Sequence, residues 1–270
     1  MSAPLTLQAG SLAHHLSQAR ELVRANPSDA DLRARLFQLS AVQGDWQRAA
    51  EQLRLSAEFN RQALPVVTLY DSAMRGETQR AAVFAGQAMP HCPVAAPAWM
   101  DDLAKALQAS PAEAAELRGQ ALEQAEASAG QITLADGNTV DIEWICDGDS
   151  RIGPVCEFIM QGRYSWVPFA AVRSLRLLPP EGLTDLVWAQ AEITLVDGRS
   201  QPCLIPARYP AQESGYAQQD EALRLGRRTE WLELSPDNYA GLGQTMWMSD
   251  QGEHALLDIR SLSLNNEDAS

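Results

Sequence analysis

The chain has 270 residues, of which 46% are hydrophobic and 21% charged, a composition typical of a folded globular protein. Its formal net charge of −14 repels nucleic acid and anionic lipid, and no run of Lys and Arg forms a local basic patch. The N-terminus lacks the basic start and apolar core of a secretory signal, and no apolar run reaches the length of about 18 residues that spans a membrane. The composition therefore predicts a cytoplasmic protein that binds neither nucleic acid nor membrane.

The first part of the chain repeats with a period of 34 residues. Apolar residues lie at i, i+4, i+7 and i+11 of an amphipathic helix, and the same spacing recurs one period later. The two sets are Leu12, Leu16, Ala19 and Val23, then Trp46, Ala50, Leu53 and Ala57. Such a period built of two helices is typical of tetratricopeptide repeats, which bind partners far more often than they catalyse reactions.

Two repeats cannot bury both of their faces, so additional helices are expected to cover them. Helical patterns over residues 98–108 and 110–127 fit that role, and Pro111 suits the first position of the second helix. The helical pattern stops at Ser128-Ala129-Gly130. Residues 1–130 are therefore predicted to form an all-α, tetratricopeptide-like domain.

After residue 130, apolar and polar residues alternate as they do in half-buried strands. Val140, Ile142 and Trp144 share one face of a predicted strand. Asp136-Gly137 and Asp197-Gly198 each separate two such runs, which predicts two β-hairpins. Further strands are predicted over residues 164–169, 171–178, 191–196 and 200–206, and a short helix over residues 221–231.

These patterns predict an α+β protein of two domains. The helical repeat domain would cover residues 1–130, and a mainly antiparallel β-sheet domain with short helices would cover residues 131–263. Residues 264–270 would form a frayed tail.

The stretch CDGDSRIGPVCE, residues 146–157, concentrates charges and cysteines. Asp147 and Asp149 suit a turn, because their carboxylates can accept hydrogen bonds from nearby backbone N–H groups. Arg151 is expected to pair with one of these aspartates or with Glu157.

A two-turn helix is predicted over residues 154–161. Pro154 suits its first position and Gly162 the position after its end. Val155, Phe158 and Ile159 would then face the core.

A catalytic alternative uses the same stretch. Asp147, Asp149 and Glu157, with Cys146 or Cys156, would suit a metal-dependent or cysteine hydrolase. The aspartates lack an identified third ligand and a histidine, and the cysteines lack a candidate base nearby in sequence. A structural role is therefore preferred for this cluster.

The four cysteines, the last of which is Cys203, are widely spaced and include no CxxC pair. They predict reduced thiols rather than a zinc site or a disulfide framework. The sequence also contains no Gly-rich phosphate loop and no HExxH or GxSxG motif. It therefore predicts no cofactor and no metal.

Several blocks follow one another in a distinctive order. They are FQLSAVQGDWQRAAEQL (37–53), DSRIGPVCEFIMQGRYSWVPF (149–169), LIPARYP (204–210), DEALRLGRRTEW (220–231) and GLGQTMWMSDQGEHALLDIR (241–260). In these blocks and their spacing the chain resembles the TagJ/ImpE, or SciE-type, accessory proteins of bacterial type VI secretion. The resemblance covers nearly the full length.

The resemblance implies a cytoplasmic, non-enzymatic adaptor. Such an adaptor would bind an N-terminal helix of the small subunit of the contractile sheath, and would link sheath subunits to the ATPase that disassembles contracted sheath. Contact with the ATPase would be indirect. Physically, an amphipathic helix would lie in a hydrophobic groove, and aromatic anchors would supply most of the binding energy.

Two surfaces are candidates for that groove. The first lies in the second domain and uses Tyr164, Trp166, Phe169, Arg208, Tyr209 and Trp231. The alternative is the concave face of the repeats, through Leu36, Leu39, Gln43 and Tyr70. The competing interpretation is that these aromatic residues form the core. A third functional hypothesis is a structural adaptor that self-associates through its repeats.

Overall fold

The computed structural model describes residues 10–211 and 215–266. The helices are α1 (Leu12–Ala25), α2 (Ala30–Gln43), α3 (Trp46–Phe59), α4 (Leu64–Phe84), α5 (Ala98–Ala106), α6 (Pro111–Gln124) and α7 (Glu221–Arg224). The strands are β1 (Gly130–Leu134), β2 (Thr139–Ile142), β3 (Ile145–Asp147), β4 (Val155–Met160), β5 (Arg163–Pro168), β6 (Val172–Leu177), β7 (Trp188–Leu195), β8 (Ser200–Pro206), β9 (Thr229–Ser235), β10 (Asn238–Gly243), β11 (Met246–Ser249), β12 (Gly252–Ala255) and β13 (Ile259–Leu264). Helices followed by an antiparallel sheet confirm the predicted α+β class.

The helices follow the period seen in the sequence. α1 begins at Leu12 and α3 at Trp46, and α2 begins at Ala30 and α4 at Leu64, so each pair of starts is 34 residues apart. Between α2 and α3, Gly44 ends the first helix with φ +77° and the Asp45 side chain caps the second. α1 packs against α2, α2 against α3 and α3 against α4, and α5 packs against α6. Assignment to the tetratricopeptide class itself stays a prediction.

The largest sheet has eight strands in the order β2-β1-β13-β6-β7-β8-β4-β5, with antiparallel neighbours throughout. The predicted hairpins at Asp136-Gly137 and Asp197-Gly198 are present as β1–β2 and β7–β8, and both glycines have positive φ. β9 and β10 form a separate hairpin, and β12, β11 and β3 form a small third sheet.

α4 packs on one face of the large sheet, where β4 and β5 lie. At Gly76 no space remains for a side chain, because the backbone of α4 lies directly against Ile159 of β4. The strand alternation sends Val155 and Ile159 toward the helices and Cys156 and Phe158 to the opposite face. Two apolar clusters result, one shared by helices and sheet and the other on the far side of the sheet.

Three local predictions are corrected by the structure. The helix predicted over residues 154–161 is instead strand β4 (Val155–Met160), because Gln161 and Gly162, with φ +51° and +79°, make the turn of a hairpin with β5. The helix predicted over residues 221–231 ends at Arg224, and β9 follows from Thr229. Leu264, expected in a frayed tail, pairs with Gly130 as the last residue of β13.

Residues 265 and 266 also make bonds to the sheet domain. The Asn265 N–H donates to the Ala129 carbonyl, and the Asn266 side chain donates to the carbonyls of Phe169 and Val172. The expected tail therefore begins no earlier than residue 267, and residues 267–270 lie outside the described part of the chain.

The change from helix to strand falls where the sequence placed it, between Gln124 and Gly130. The apolar core does not divide there, since one cluster contains Leu39 and Tyr70 from the helices together with Ile159 and Trp188 from the sheet. Among the residues that the structure describes, every helix is too short or too polar to span a lipid bilayer.

Candidate partner-binding cleft

A buried polar network joins α4 to the sheet. Arg80 of α4 donates from Nε and Nη2 to the Glu157 carboxylate of β4, with an Nε–Oε2 distance of 2.8 Å. The Tyr164 hydroxyl donates to the same carboxylate at 2.7 Å, and Trp166 Nε1 donates to the Tyr164 hydroxyl at 2.6 Å. These side chains are at most 3% exposed. The charges of Arg80 and Glu157 are therefore stabilised by their hydrogen-bond partners rather than by water.

The environment of this network shifts the ionisation of its members. Burial alone would lower the pKa of Arg80, but Glu157 and Glu77 raise it well above its ordinary value. Burial raises the pKa of Glu77, against the opposing charges of Arg80 and Arg208. Burial and the neighbouring Glu157 charge raise the pKa of the Tyr164 hydroxyl well above its usual range.

Arg208, which follows β8, holds the sheet against the end of α2. Its Nη1 and Nη2 donate to the carbonyls of Val42 and Ala41 in the last turn of α2, at 2.6 and 3.0 Å. A cation at a helix C-terminus is stabilised by the unpaired carbonyls and by the helix dipole. The guanidinium also lies 3.9 Å from the ring centroid of Tyr216.

The CDGDSR segment is a hydrogen-bonded turn. Asp147 accepts from the Asp149 N–H at 2.8 Å and from the Tyr209 hydroxyl at 3.0 Å. Asp149 accepts from the Arg151 backbone N–H and, in a bidentate pair, from its guanidinium. The Gly241 N–H also donates to Asp149, at 3.0 Å, which fixes the β9–β10 hairpin to this turn. Of the partners considered for Arg151, the structure selects Asp149.

This geometry gives no support to the hydrolase alternative. Glu157 is bound by Arg80 and Tyr164, whereas the two aspartates accept bonds from their own turn and from Tyr209 and Gly241. In the described part of the chain, no group of three His, Cys, Asp or Glu side chains could hold a metal ion. Burial raises the pKa of Cys146 to about 12, so its thiol stays protonated and is a poor nucleophile. All four cysteines are free, as predicted.

The residues of the first candidate groove are mostly core residues. Tyr164, Trp166, Phe169, Arg208 and Tyr209 are each at most 1% exposed. The expectation that they lie on the surface is therefore wrong. Tyr164 and Trp166 face the helices from β5, and Phe169, after the end of β5, packs in the cluster on the far side of the sheet. Arg208 and Tyr209, after β8, bind Ala41, Val42 and Asp147. Trp231 is half-buried on the β9–β10 hairpin, where its ring packs against Gly148 and lies 5.6 Å from the Tyr209 ring.

The residues of the alternative groove are also covered. Leu36, Leu39 and Tyr70 are buried between the helices and the sheet. Gln43 is half-buried and accepts a hydrogen bond from Arg224 of α7. The sheet and the segments that connect its strands thus occupy the helix surface that was a candidate for binding a partner.

A large open cleft lies beside the buried network, between α4 and the β9–β10 hairpin. It has a volume of about 1180 Å³. Its walls carry large apolar side chains: Trp46, Phe84, Leu232, Leu234 and Leu242. Its floor carries charged side chains: Glu77, Arg80 and Arg151. We call this site the junction cleft.

A smaller groove of about 530 Å³ lies on the other side of α4. It runs between the N-terminal half of that helix and the exposed ends of β4, β7 and β8, and Leu69 and Leu178 form its apolar rim. Both leucines are exposed, at 37% and 46%. The two grooves differ in chemistry, because Glu77, Arg80 and Arg151 line the junction cleft, whereas Arg75 is the one charged residue among those described that line the smaller groove.

The sequence itself connects the chain to known proteins. A family model described as ImpE protein matches residues 139–263. Over the whole chain, the sequence is 42% identical to the type VI secretion system accessory component TagJ of Pseudomonas aeruginosa (strain PAO1), in an alignment of 274 residues that covers 100% of this chain and 93% of the relative. The chain belongs to the TagJ/ImpE family. It is thereby related to an accessory component of type VI secretion.

The fold of this TagJ/ImpE chain also has a close structural counterpart. The crystal structure of protein VPA1032 from Vibrio parahaemolyticus superposes with a TM-score of 0.81 and covers 95% of this chain and 94% of its own. Its sequence is 23% identical, so the likeness shows the fold alone.

Sequence reasoning missed the charged floor of the cleft. Glu77 and Arg80 follow Tyr70 and Ala73 at helical spacing, on the face of α4 that turns toward the sheet. Charged residues that continue an apolar stripe are the signal that could have revealed them, because such residues are rarely buried unless they are paired. In this TagJ/ImpE chain, both lie outside the region matched by the family model.

Proposed function

We propose that this protein is a cytoplasmic, non-enzymatic adaptor of type VI secretion. It binds the N-terminal helix of the small contractile-sheath subunit and assists recycling of contracted sheath by the disassembling ATPase, with which contact is indirect. The observation that carries the proposal is the 42% identity over the full chain to a type VI secretion accessory component.

The structure supports an adaptor more than an enzyme. The charged clusters are bound internally, and burial raises the pKa of both candidate nucleophiles, Cys146 and Cys156, so that they stay thiols. The two surface grooves have apolar rims of the kind that receive an amphipathic helix through an i, i+3, i+4, i+7 stripe. The four free thiols are consistent with a reducing compartment.

Calorimetric titration tests the proposal. The full-length protein is titrated with a synthetic peptide of the small sheath subunit's N-terminal helix, and a sequence-scrambled peptide serves as the control. We expect saturable binding with a dissociation constant of about 1 μM or below and a negative heat-capacity change from burial of apolar surface. A folded protein that binds neither peptide would refute the sheath-binding function.

A further inference from the structure

The junction cleft is larger than a small-molecule site. Such sites usually occupy about 300–1,000 Å³, whereas this cleft measures about 1180 Å³. A helix about 10 Å across that rises 1.5 Å per residue fills roughly 120 Å³ per residue, so the cleft has room for between two and three helical turns.

The walls of the junction cleft present apolar surface to the solvent. Leu232 on the β9–β10 hairpin is 44% exposed, and Phe84 on the facing helix is half-buried. Burial of a Leu side chain in an interface contributes about 1.5–3 kcal/mol, so these walls favour an apolar stripe on the occupant.

The floor of the cleft has one incompletely satisfied charge, which is Glu77. Its Oε1 accepts from Trp188 Nε1 at 3.0 Å. Its Oε2 forms an ion pair with Arg80, whose Nη1 lies 3.7 Å away, beyond hydrogen-bond distance. The residue is 5% exposed and lines the cleft. Among the described residues, then, no donor completes this carboxylate.

The arginines at the floor are already occupied. Arg80 uses its three nitrogens on Glu157 and on the Arg208 carbonyl. Arg151 forms its bidentate pair with Asp149, and its guanidinium lies 4.8 Å from the Phe84 ring centroid. Among the described residues no donor remains for Glu77 Oε2, so a cation on the occupant would complete it, and an incoming carboxylate would be repelled.

We infer that the junction cleft binds an amphipathic helix that carries one Lys or Arg within its apolar stripe, and that this cation pairs with Glu77. The inference rests on the proposed function, since it assigns a site and a chemistry to the helix that the adaptor binds. The overall charge of −14 favours the approach of such a cation.

Two variants with matched controls test the site by the same titration. Leu232→Asp places a charge on the cleft wall, and Leu69→Asp makes the same change on the smaller groove. Glu77→Gln removes the floor charge while keeping an acceptor for Trp188, and Glu58→Gln removes one exposed charge from α3. We expect Leu232→Asp to weaken binding about 30-fold and Glu77→Gln about tenfold, with both controls unchanged.

The peptide supplies an independent readout. Each Lys or Arg of the peptide is replaced in turn by norleucine, which keeps the aliphatic stem and removes the charge. At one position we expect norleucine to weaken binding to the wild-type protein about tenfold and to leave binding to the Glu77→Gln variant unchanged. Circular dichroism melting of every variant confirms that the fold is retained.

The outcomes distinguish a wrong binding site from a wrong function. If the wild-type protein binds the peptide and Leu69→Asp, but not Leu232→Asp, abolishes binding, the junction cleft is not the binding site. That result would leave the adaptor function unaffected. Loss in Leu232→Asp with no effect of Glu77→Gln would overturn the pairing of the cation with Glu77. Absence of binding to the wild-type protein would overturn the function and the inference together.

Discussion

The two faces of the large sheet are buried by different means. The face toward the helices carries Glu157, Tyr164 and Trp166 among its apolar residues, and these meet Arg80 in a continuous hydrogen-bonded network. The opposite face is an apolar cluster that includes Phe158, Phe169 and Trp247. The helix-facing side therefore combines close packing with directional bonds, whereas the opposite side depends mainly on close packing.

This difference indicates what holds the helices in place. Apolar packing tolerates shifts between surfaces, whereas a buried ion pair is stable in only one arrangement. Arg80 and Arg208 each reach from one part of the molecule to groups on the other. We therefore expect substitutions on the helix-facing side to affect both stability and the shape of the junction cleft, and those on the opposite side to affect stability alone.

The largest effect is expected from removal of Arg80. Arg80→Met leaves Glu157 buried with its cation missing, which should lower the free energy of unfolding by about 3–5 kcal/mol. Urea denaturation followed by circular dichroism measures this change. The control is Arg176→Met, which breaks the exposed pair with Glu192 and should cost less than about 1 kcal/mol.

A double variant separates the missing charge from the missing packing. Arg80→Met with Glu157→Gln removes both charges and keeps an acceptor for the Tyr164 hydroxyl. It should be more stable than Arg80→Met alone, because no uncompensated charge remains. A double variant that loses the sum of the two single effects would show that the pair acts mainly through packing.

An intermediate effect is expected from matched substitutions of tryptophan on the two faces. Trp166→Phe removes the indole N–H that donates to Tyr164, whereas Trp247→Phe removes volume beside Phe169, whose ring centroid lies 5.3 Å away. Both lose apolar volume, and the first also loses a buried hydrogen bond. Trp166→Phe should therefore cost about 1–2 kcal/mol more in urea denaturation. Equal costs would contradict the assigned difference between the faces.

The sequence revealed the parts of the fold that depend on local patterns. The spacing of Leu12 and Trp46 gave the helical period, and Asp136-Gly137 gave a hairpin, because both features involve residues near each other in the chain. The run from Val155 to Ile159 was misassigned because it is buried on both faces, and a short run of that kind fits either a helix or a strand.

The site depended on contacts that no local pattern records. Arg80 and Glu157 are 77 residues apart, and Arg208 binds Ala41 across 167 residues. Aromatic content suggested a binding surface around Tyr164, but its hydroxyl binds Glu157, which pairs with Arg80 of α4. The sequence does not show that α4 covers that strand. The junction cleft lies beside these contacts, where the β9–β10 hairpin faces α4.

A smaller effect concerns the pH dependence contributed by Glu77. Burial raises its pKa in the folded state above the ordinary value of 4.5. Between pH 4.5 and this raised pKa, the folded state therefore binds more protons than the unfolded state. The stability contributed by protonated Glu77 is lost as pH rises from about 4.5 toward the raised pKa. Glu77→Gln should remove this loss. The stability of the Glu77→Gln variant relative to the wild type should rise between pH 4.5 and pH 8. A difference in stability that stays constant with pH would contradict the raised pKa of Glu77.

The smallest effect is expected at His254 of β12, away from the helices. Its Nε2 lies 2.8 Å from Ser249 Oγ, and burial lowers the pKa of the imidazole below its ordinary value of 6.5, although nearby Asp250 opposes this. The unfolded state then takes up the proton first as pH falls, so the stability contributed by neutral His254 is present above about pH 6.5 and is lost on acidification through the folded pKa. His254→Gln can still bond to Ser249 but does not titrate, and it should flatten the decline in melting temperature between pH 7 and pH 5. An unchanged slope would contradict this role of His254 and assign the decline to other titratable groups.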